Sequence, residues 1–223
     1  MKRTPLHARK LPAYSRGEEL MNMITHIVGG ALGVVVLLSC VIRAALRDNV
    51  YGIISSTIYG TTFITMFTIS SVYHGLAPGM SKKVMQVIDH CTIYLLICGT
   101  YTPILFCSII PESPFWGWLI FTIVWGLGIT AAVFTAIDLK KYAVFSMICY
   151  IGMGWCILIA APVAMTAIPF GGLIYLLAGG IAYTVGAVIY GFGKKCRYMH
   201  SIFHLFVVLG SILQLICVLF YVI

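Results

Sequence analysis

Two histidines, His200 and His204, stand four residues apart at the start of the last long apolar run, in the stretch "RYMHSIFHLF" (residues 197–206). At this spacing both imidazole rings lie on one face of a helix. Ionisable groups inside an apolar span usually face the interior of the protein and find partners there. The pair therefore predicts a shared partner, and a metal ion is one that two imidazoles suit.

A third histidine, His74, ends the second apolar run on the same predicted side of the membrane. Together with His200 and His204 it would supply three neutral imidazoles, a good ligand set for Zn²⁺. A fourth position left to water would make such a site catalytic in type. The alternative for each histidine taken alone is an interfacial side chain that is hydrogen-bonded to a backbone carbonyl or a lipid headgroup.

The third apolar run carries two further ionisable residues, Asp89 and His90, in "VMQVIDHCTIY". Asp89 could take the fourth metal position, or it could hold a water molecule and accept its proton. Ser70 precedes His74 by one helical turn on the same face, where its hydroxyl could bind that water or a substrate carbonyl. Because neighbours on a helix point about 100° apart, we expect at most one of Asp89 and His90 to face the site.

Polar residues also mark the start of the first apolar run, where Glu18, Asn22 and His26 follow one another at intervals of four. Glu18, or its neighbour Glu19, could form a polar cap on the helix together with Asn22 and His26. The same residues could instead support the metal ligands or relay protons. The sequence leaves both interpretations open.

The elements that carry these residues are membrane spans. The chain is 61% hydrophobic and 9% charged over 223 residues, which excludes an ordinary soluble globular protein. Apolar runs of about twenty residues recur along it, which is typical of transmembrane helices. We predict an all-α integral membrane protein with a basic segment at 1–21 and one seven-helix domain at 22–223. The predicted spans are 22–44, 52–74, 84–108, 115–136, 143–165, 171–192 and 199–222.

The basic residues predict the orientation of this bundle. Of the fourteen lysines and arginines, all but Arg43 and Arg47 fall on the side that holds the N-terminus. The positive-inside rule then places the N-terminus in the cytoplasm and the C-terminus outside. The net charge of +8 reflects this topology and contact with anionic lipid, so we expect no nucleic acid partner. The run 21–45 is too long for a signal peptide and should stay as the first membrane helix.

Four motifs in this order, "EELMNMITH", "SSVYH", "DH" and "HSIFH", resemble the hemolysin III family. That family is the bacterial branch of the progestin and adipoQ receptor (adiponectin receptor-like) superfamily and is similar to alkaline ceramidases. The resemblance implies seven helices in the bacterial cytoplasmic (inner) membrane and zinc held by His74, His200 and His204. It also implies that Asp89, rather than His90, is linked to the metal through water, and that Ser70 is the serine of the S-x-x-x-H motif.

Three functions remain open at this point. The first is a zinc-dependent hydrolase of lipid amides or esters, with membrane lipid as its substrate. The second is a non-catalytic membrane sensor or homeostasis protein in which zinc is structural. The third is the cytolysis that the family name implies, which a chain with seven apolar spans supports poorly because a secreted toxin needs a soluble form. The sequence identifies neither the lipid nor the oligomeric state.

Overall fold

The fold is a bundle of membrane-length helices. A computed structural model describes residues 4–192 and 196–223, and this part of the chain contains seven helices that are long and apolar enough to cross a membrane. All seven predicted spans are confirmed. The basic residues Lys2, Arg3, Lys194 and Lys195 lie outside the described residues. The helices are α1 (Arg16–Ala45), α2 (Val50–Gly75), α3 (Met80–Glu112), α4 (Pro114–Ile137), α5 (Ala143–Ala167), α6 (Phe170–Phe192) and α7 (Met199–Val222).

Helix α1 begins six residues before the predicted span because a capping box fixes its start. The Ser15 side chain accepts a hydrogen bond from the backbone N–H of Glu18, and Glu18 Oε2 accepts from the backbone N–H of Ser15 at 2.8 Å. Two of the otherwise unpaired N–H groups of the first turn are satisfied in this way. The polar residues that precede the apolar run therefore belong to the helix, and they point from α1 towards its neighbours.

The helices pack in a closed order in which α1 contacts α2 and α7, α2 contacts α3, and α6 contacts α7. Helix α3 is the most buried of them, while the outer faces of the others present exposed side chains such as Val28, Leu38 and Val133. Close approach of α1 and α2 depends on Gly29, since a Cβ there would lie 2.1 Å from Cδ1 of Phe67. This is the packing by small residues that is typical of membrane helices.

Helix α5 is not a continuous α-helix. A 3₁₀ segment over Cys156–Ala160 separates its two α-helical parts. The Tyr101 hydroxyl of α3 repairs the interruption, because it donates to the carbonyl of Gly154 at 3.0 Å and accepts from the N–H of Ile157 at 3.0 Å. Non-helical backbone at membrane depth needs such partners when it lines a cavity. Tyr101, Gly154 and Ile157 do line the main cavity described below.

Successive helices run in opposite directions, and the contacts at the two ends of the bundle agree with this arrangement. At one end the backbone N–H of Thr4 donates to Asp138 Oδ2 at 2.8 Å, which joins the N-terminal segment to the α4–α5 connection. At the other end Arg43 and Arg47 both donate to the carbonyl of Ile223, at 2.9 and 2.8 Å. The placement of the N-terminal end in the cytoplasm rests on the count of basic residues and stays a prediction.

Candidate metal centre and its cavity

The structure brings together the three histidines that the sequence singles out. His74 comes from the end of α2, and His200 and His204 come from the first turns of α7. One ring nitrogen of each lies within 4.8 Å of the others, and the Nε2 atoms of His200 and His204 are 3.1 Å apart. Among the described residues this is the group of histidine, cysteine and acidic side chains that is spaced for a metal ion.

The donor set fits a metal ion of the zinc type. Two nitrogens that bind one tetrahedral zinc at 2.0–2.1 Å lie about 3.3 Å from each other, close to the separation of the two α7 histidines. His74 Nε2 is buried and has no hydrogen-bond partner among the described residues. A buried ring nitrogen without a partner is costly, and a metal ion would satisfy it. An all-imidazole set suits zinc, copper, iron and nickel better than magnesium or calcium.

The other nitrogen of His74 is held by a carboxylate that the sequence does not single out as its partner. Nδ1 of His74 lies 2.7 Å from Oε2 of Glu19, so the ring donates to Glu19 and Nε2 is left free to bind a metal. Asn22 Nδ2 lies 3.4 Å from the same nitrogen. Metal-binding histidines usually donate their second N–H to a carboxylate in this way, which fixes the tautomer and orients the ring.

Glu19 is in turn paired with Lys82, whose Nζ lies 2.7 Å from Oε1 of Glu19. Lys82 is 3% exposed and also donates to the carbonyls of His74 and Leu76, at 3.3 and 2.9 Å. Lys82 is one of the basic residues that the sequence places at the membrane surface on the N-terminal side. In the structure its side chain is buried within the protein. Its role is to compensate the Glu19 carboxylate and to tie the start of α3 to the end of α2.

The polar residues at the start of α1 contact two different sets of groups. Glu18 is a structural cap, since besides the capping box its Oε1 accepts from the backbone N–H of Tyr198 at 2.8 Å. Asn22 and His26 instead reach the histidines. Asn22 Oδ1 accepts from the Ser201 hydroxyl at 2.6 Å, and the His26 ring stacks on that of His204 with centroids 3.7 Å apart.

Asp89 and Ser70 lie side by side at the edge of the histidine group. Both are buried, and both line the cavity. Asp89 does not belong to the set of atoms within metal-ligand distance of one another. It borders the same cavity as the histidines of α7, where a water molecule could bridge it to a metal.

Asp89 and His90 both line the cavity, although neighbours on a helix point about 100° apart. Which of them would face a bound metal stays a prediction. The two side chains both border the cavity, but they have different hydrogen-bond partners. His90 Nδ1 lies 2.8 Å from the carbonyl of Gln86, one turn earlier, and 3.7 Å from Asp89 Oδ2. A ring whose Nδ1 donates to its own helix is held beside Asp89.

A cavity extends from the histidines into the bundle. The volume of this cavity is about 170 Å³. Its polar end is formed by Ser70, Asp89, His90, His200 and His204. Beyond them the walls are mainly aromatic and aliphatic, with residues from α2, α3, α5, α6 and α7. A polar end with an apolar body is the form that an amphiphilic ligand requires.

The N-terminal segment (residues 4–15) covers the outer side of the histidines. Tyr14 stacks on His200 with centroids 4.9 Å apart and planes 12° from parallel. Burial raises the pKa of the Tyr14 hydroxyl well above its usual value, so this residue stays neutral. Arg9 anchors the segment by donating to the carbonyl of Ile137 at 2.9 Å. The backbone N–H of Thr4 holds the pKa of Asp138 down at about 2.

The fold and the site define a class of multi-pass helical membrane proteins with a buried histidine cluster near one end. A family model described as "Haemolysin-III related" matches residues 14–215, and the chain belongs to this family. The match spans every one of the site residues named above, and it confirms the family that the sequence motifs predict.

Curated relatives agree with the family match. The chain is 36% identical over 205 residues to Hemolysin-3 of Bacillus cereus, with 92% of each chain covered. It is 35% identical over 204 residues to the Hemolysin-3 homolog of Bacillus subtilis (strain 168), with 92% of this chain and 94% of that one covered. A more distant relative is the human Monocyte to macrophage differentiation factor, 26% identical over 213 residues.

Proposed function

We propose that this protein is an intramembrane zinc hydrolase that cleaves a lipid amide or ester. The observation that carries the proposal is the meeting of a three-histidine group with a buried carboxylate at the polar end of an otherwise apolar cavity. A purely structural metal site would need no adjoining cavity, and a lipid-binding pocket would need no buried histidine cluster.

Zinc bound to His74, His200 and His204 would polarise the substrate carbonyl and favour loss of a proton from water. The protein's own residues account for the remaining steps. Asp89 accepts a proton from the attacking water, whose oxygen bonds to the acyl carbon. The C–N or C–O bond then breaks, and the proton held by Asp89 passes to the leaving amine or alcohol. Ser70, which lines the same cavity, helps to orient the attacking water or the substrate carbonyl.

The site's depth supports a lipid substrate. His200 and His204 occupy the first two turns of α7, so the histidine group lies within about 10 Å of the helix end at ~1.5 Å per residue. A lipid lying in the bilayer could place its acyl carbonyl at this depth and its chain in the apolar part of the cavity. With the predicted orientation, the site lies near the cytoplasmic face of the bacterial inner membrane.

Asp89→Asn separates catalysis from metal binding. The amide keeps the size of the side chain but cannot act as a base, so we expect zinc to remain bound while release of fatty acid falls by about 10²-fold or more. Ser70→Ala should cause a smaller loss. The assay measures fatty acid released from a panel of lipid amides and esters by purified protein in bilayers. Equal activity of the wild type and Asp89→Asn, or no zinc-dependent product from any lipid, would reject the hydrolase.

The second candidate is a sensor or homeostasis protein in which the metal is structural. Two observations favour this candidate. The Glu19–His74 contact joins α1 to α2, and the three-histidine group joins α2 to α7. Under this candidate Asp89→Asn leaves every function unchanged, whereas loss of a histidine ligand lowers stability.

Cytolysis is a third candidate, and its support is the name Hemolysin-3 printed for the Bacillus cereus relative. Haemoglobin release from red cells by the purified protein would support it. Lysis that appears only with overproduction in the host membrane would not.

A further inference from the structure

The cavity has a second polar feature at its far end, on the same face of α7 as the metal group. His200, Val207 and Gln214 follow one another at intervals of seven and all line the cavity. Ten residues separate His204 from Gln214, which places Gln214 roughly 15 Å further into the bundle at ~1.5 Å per residue. Gln214 is 6% exposed, and its Oε1 atom is buried with no hydrogen-bond partner in residues 4–192 and 196–223.

The orientation of the Gln214 amide is determined by its surroundings. Nε2 lies 3.0 Å from the carbonyl of Leu176, which can only accept, so the amide nitrogen must face Leu176. Gly179 makes room for it, because a Cβ there would lie 2.7 Å from Nε2. The oxygen atom of the amide is consequently the one left without a partner.

Two hydroxyl groups on α6 and α7, those of Tyr183 and Ser211, are already committed. Ser211 donates to the carbonyl of Val207 at 2.8 Å, so the Tyr183 hydroxyl must donate to Ser211 across their own 2.8 Å contact. Neither proton is then available to Gln214. A buried acceptor without a donor is unfavourable, and most such groups in proteins have a partner. Because Gln214 lines the cavity, a donor for its oxygen can come from whatever occupies that cavity.

We propose that Gln214 recognises a hydroxyl group on the acyl chain of the lipid. The inference rests on the proposed function, because it takes the acyl carbonyl to lie at the histidines. A span of roughly 15 Å corresponds to about a dozen carbons of an extended chain, because C–C bonds of about 1.5 Å advance only about 1.25 Å each along the zigzag. The substrate class is thus a lipid with a hydroxylated acyl chain, since a plain hydrocarbon chain would leave Gln214 Oε1 unsatisfied.

The test measures binding and needs no turnover. Purified wild-type protein in nanodiscs is loaded with a fluorescent fatty acid, which is displaced by octadecanoic acid or by its 12-hydroxy or 2-hydroxy derivative. We expect the 12-hydroxy acid to bind about tenfold more tightly than the other two, the scale of one buried hydrogen bond. Gln214→Met and Gln214→Leu should abolish the preference and keep binding of the plain acid. Gln86→Leu, which changes a buried glutamine that does not line the cavity, should preserve it.

The possible outcomes separate this inference from the proposed function. If no fatty acid binds to the wild type, both the lipid site and the role of Gln214 are rejected. If the three acids bind equally to the wild type, the role of Gln214 is rejected alone, and a water molecule is its partner. This comparison uses the wild type with different ligands. It therefore tests the role of Gln214 even if a Gln214 variant fails to fold.

Discussion

Oε2 of Glu19 on α1 lies 2.7 Å from Nδ1 of His74 on α2. The contact makes α1 part of the metal group although α1 supplies none of the three imidazoles. Since Lys82 neutralises the other oxygen of Glu19, the carboxylate can remain ionised beside the histidine. The orientation of His74 thus depends on three helices at once.

Glu19→Gln should weaken metal binding without unfolding the protein. The amide can still reach His74 but is a much weaker acceptor, so we expect zinc affinity to fall by about 10–100-fold. Competition with a chelator of known affinity measures the change. Glu18→Gln is the matched control, because it alters the cap of α1 and leaves the His74 contact intact. Equal losses in the two variants would mean that the helix start, and not the Glu19 contact, governs the affinity.

Removal of a ligand should abolish most of the metal content. Purified wild type is expected to carry about one zinc per chain, and His200→Ala or His204→Ala should lose most of it. Because a metal ion that binds only the folded state stabilises it, both variants should also melt at lower temperature than the zinc-loaded wild type. Elemental analysis and thermal unfolding provide the two measurements. His7→Ala, in the exposed part of the N-terminal segment, serves as control; full zinc retention in both ligand variants would reject the site.

Much of the bundle and of the metal group could be predicted from the sequence. Long apolar runs fix the number of helices, and their alternation fixes which ends meet. His74 and the two histidines of α7 therefore had to fall at the same end, and the interval of four placed His200 and His204 on one face.

The partners of these histidines could not all be predicted, for a physical reason. Glu18 and Glu19 are adjacent, and which of them faces His74 depends on which one caps the helix. The pattern Ser15–Arg16–Gly17–Glu18 is a capping-box signature, and it would have assigned Glu18 to the cap. No comparable signal exists for Lys82, since a lysine at the start of a helix is usually exposed.

The packing of the N-terminal segment over the histidines could not be predicted from the sequence either. Its attachment uses backbone groups, such as the N–H of Thr4 and the carbonyl of Ile137, which carry no information about residue type. The stacking of Tyr14 on His200 joins residues that are far apart in the chain and follow no periodic pattern.

The orientation of the bundle can be tested with single cysteines in a background without the eight native ones. Lys140→Cys and Ser81→Cys lie at the end that carries the N-terminal segment, and Asp48→Cys and Glu112→Cys lie at the other; all four positions are exposed. In intact cells an impermeant thiol reagent should label only the second pair, because the positive-inside rule predicts that the basic end faces the cytoplasm. Labelling of the first pair alone would invert the orientation and place the site on the outer side.

The attachment of the N-terminal segment should depend on the charge of Asp138. In the folded protein the pKa of Asp138 is about 2, below the usual value of about 3.9 for an aspartate. A lowered pKa means that ionised Asp138 favours the docked segment at pH values above about 4, and that this contribution disappears as the pH falls through 2. At neutral pH, Asp138→Asn should mimic the protonated state and release the segment.

Limited proteolysis measures this release. Trypsin should cut after Arg9 and Lys10 faster in Asp138→Asn than in the wild type at pH 7, whereas Asp48→Asn at the opposite end should behave as the wild type. Pepsin, normalised to its cleavage of a free peptide of residues 1–15, should cut the wild-type segment increasingly between pH 4 and pH 2. The Asp138→Asn protein should show no such change, because it has lost the group that titrates there. If the wild type and the variant respond to pH alike, the contact between Thr4 and Asp138 does not control docking of the segment over Tyr14 and His200.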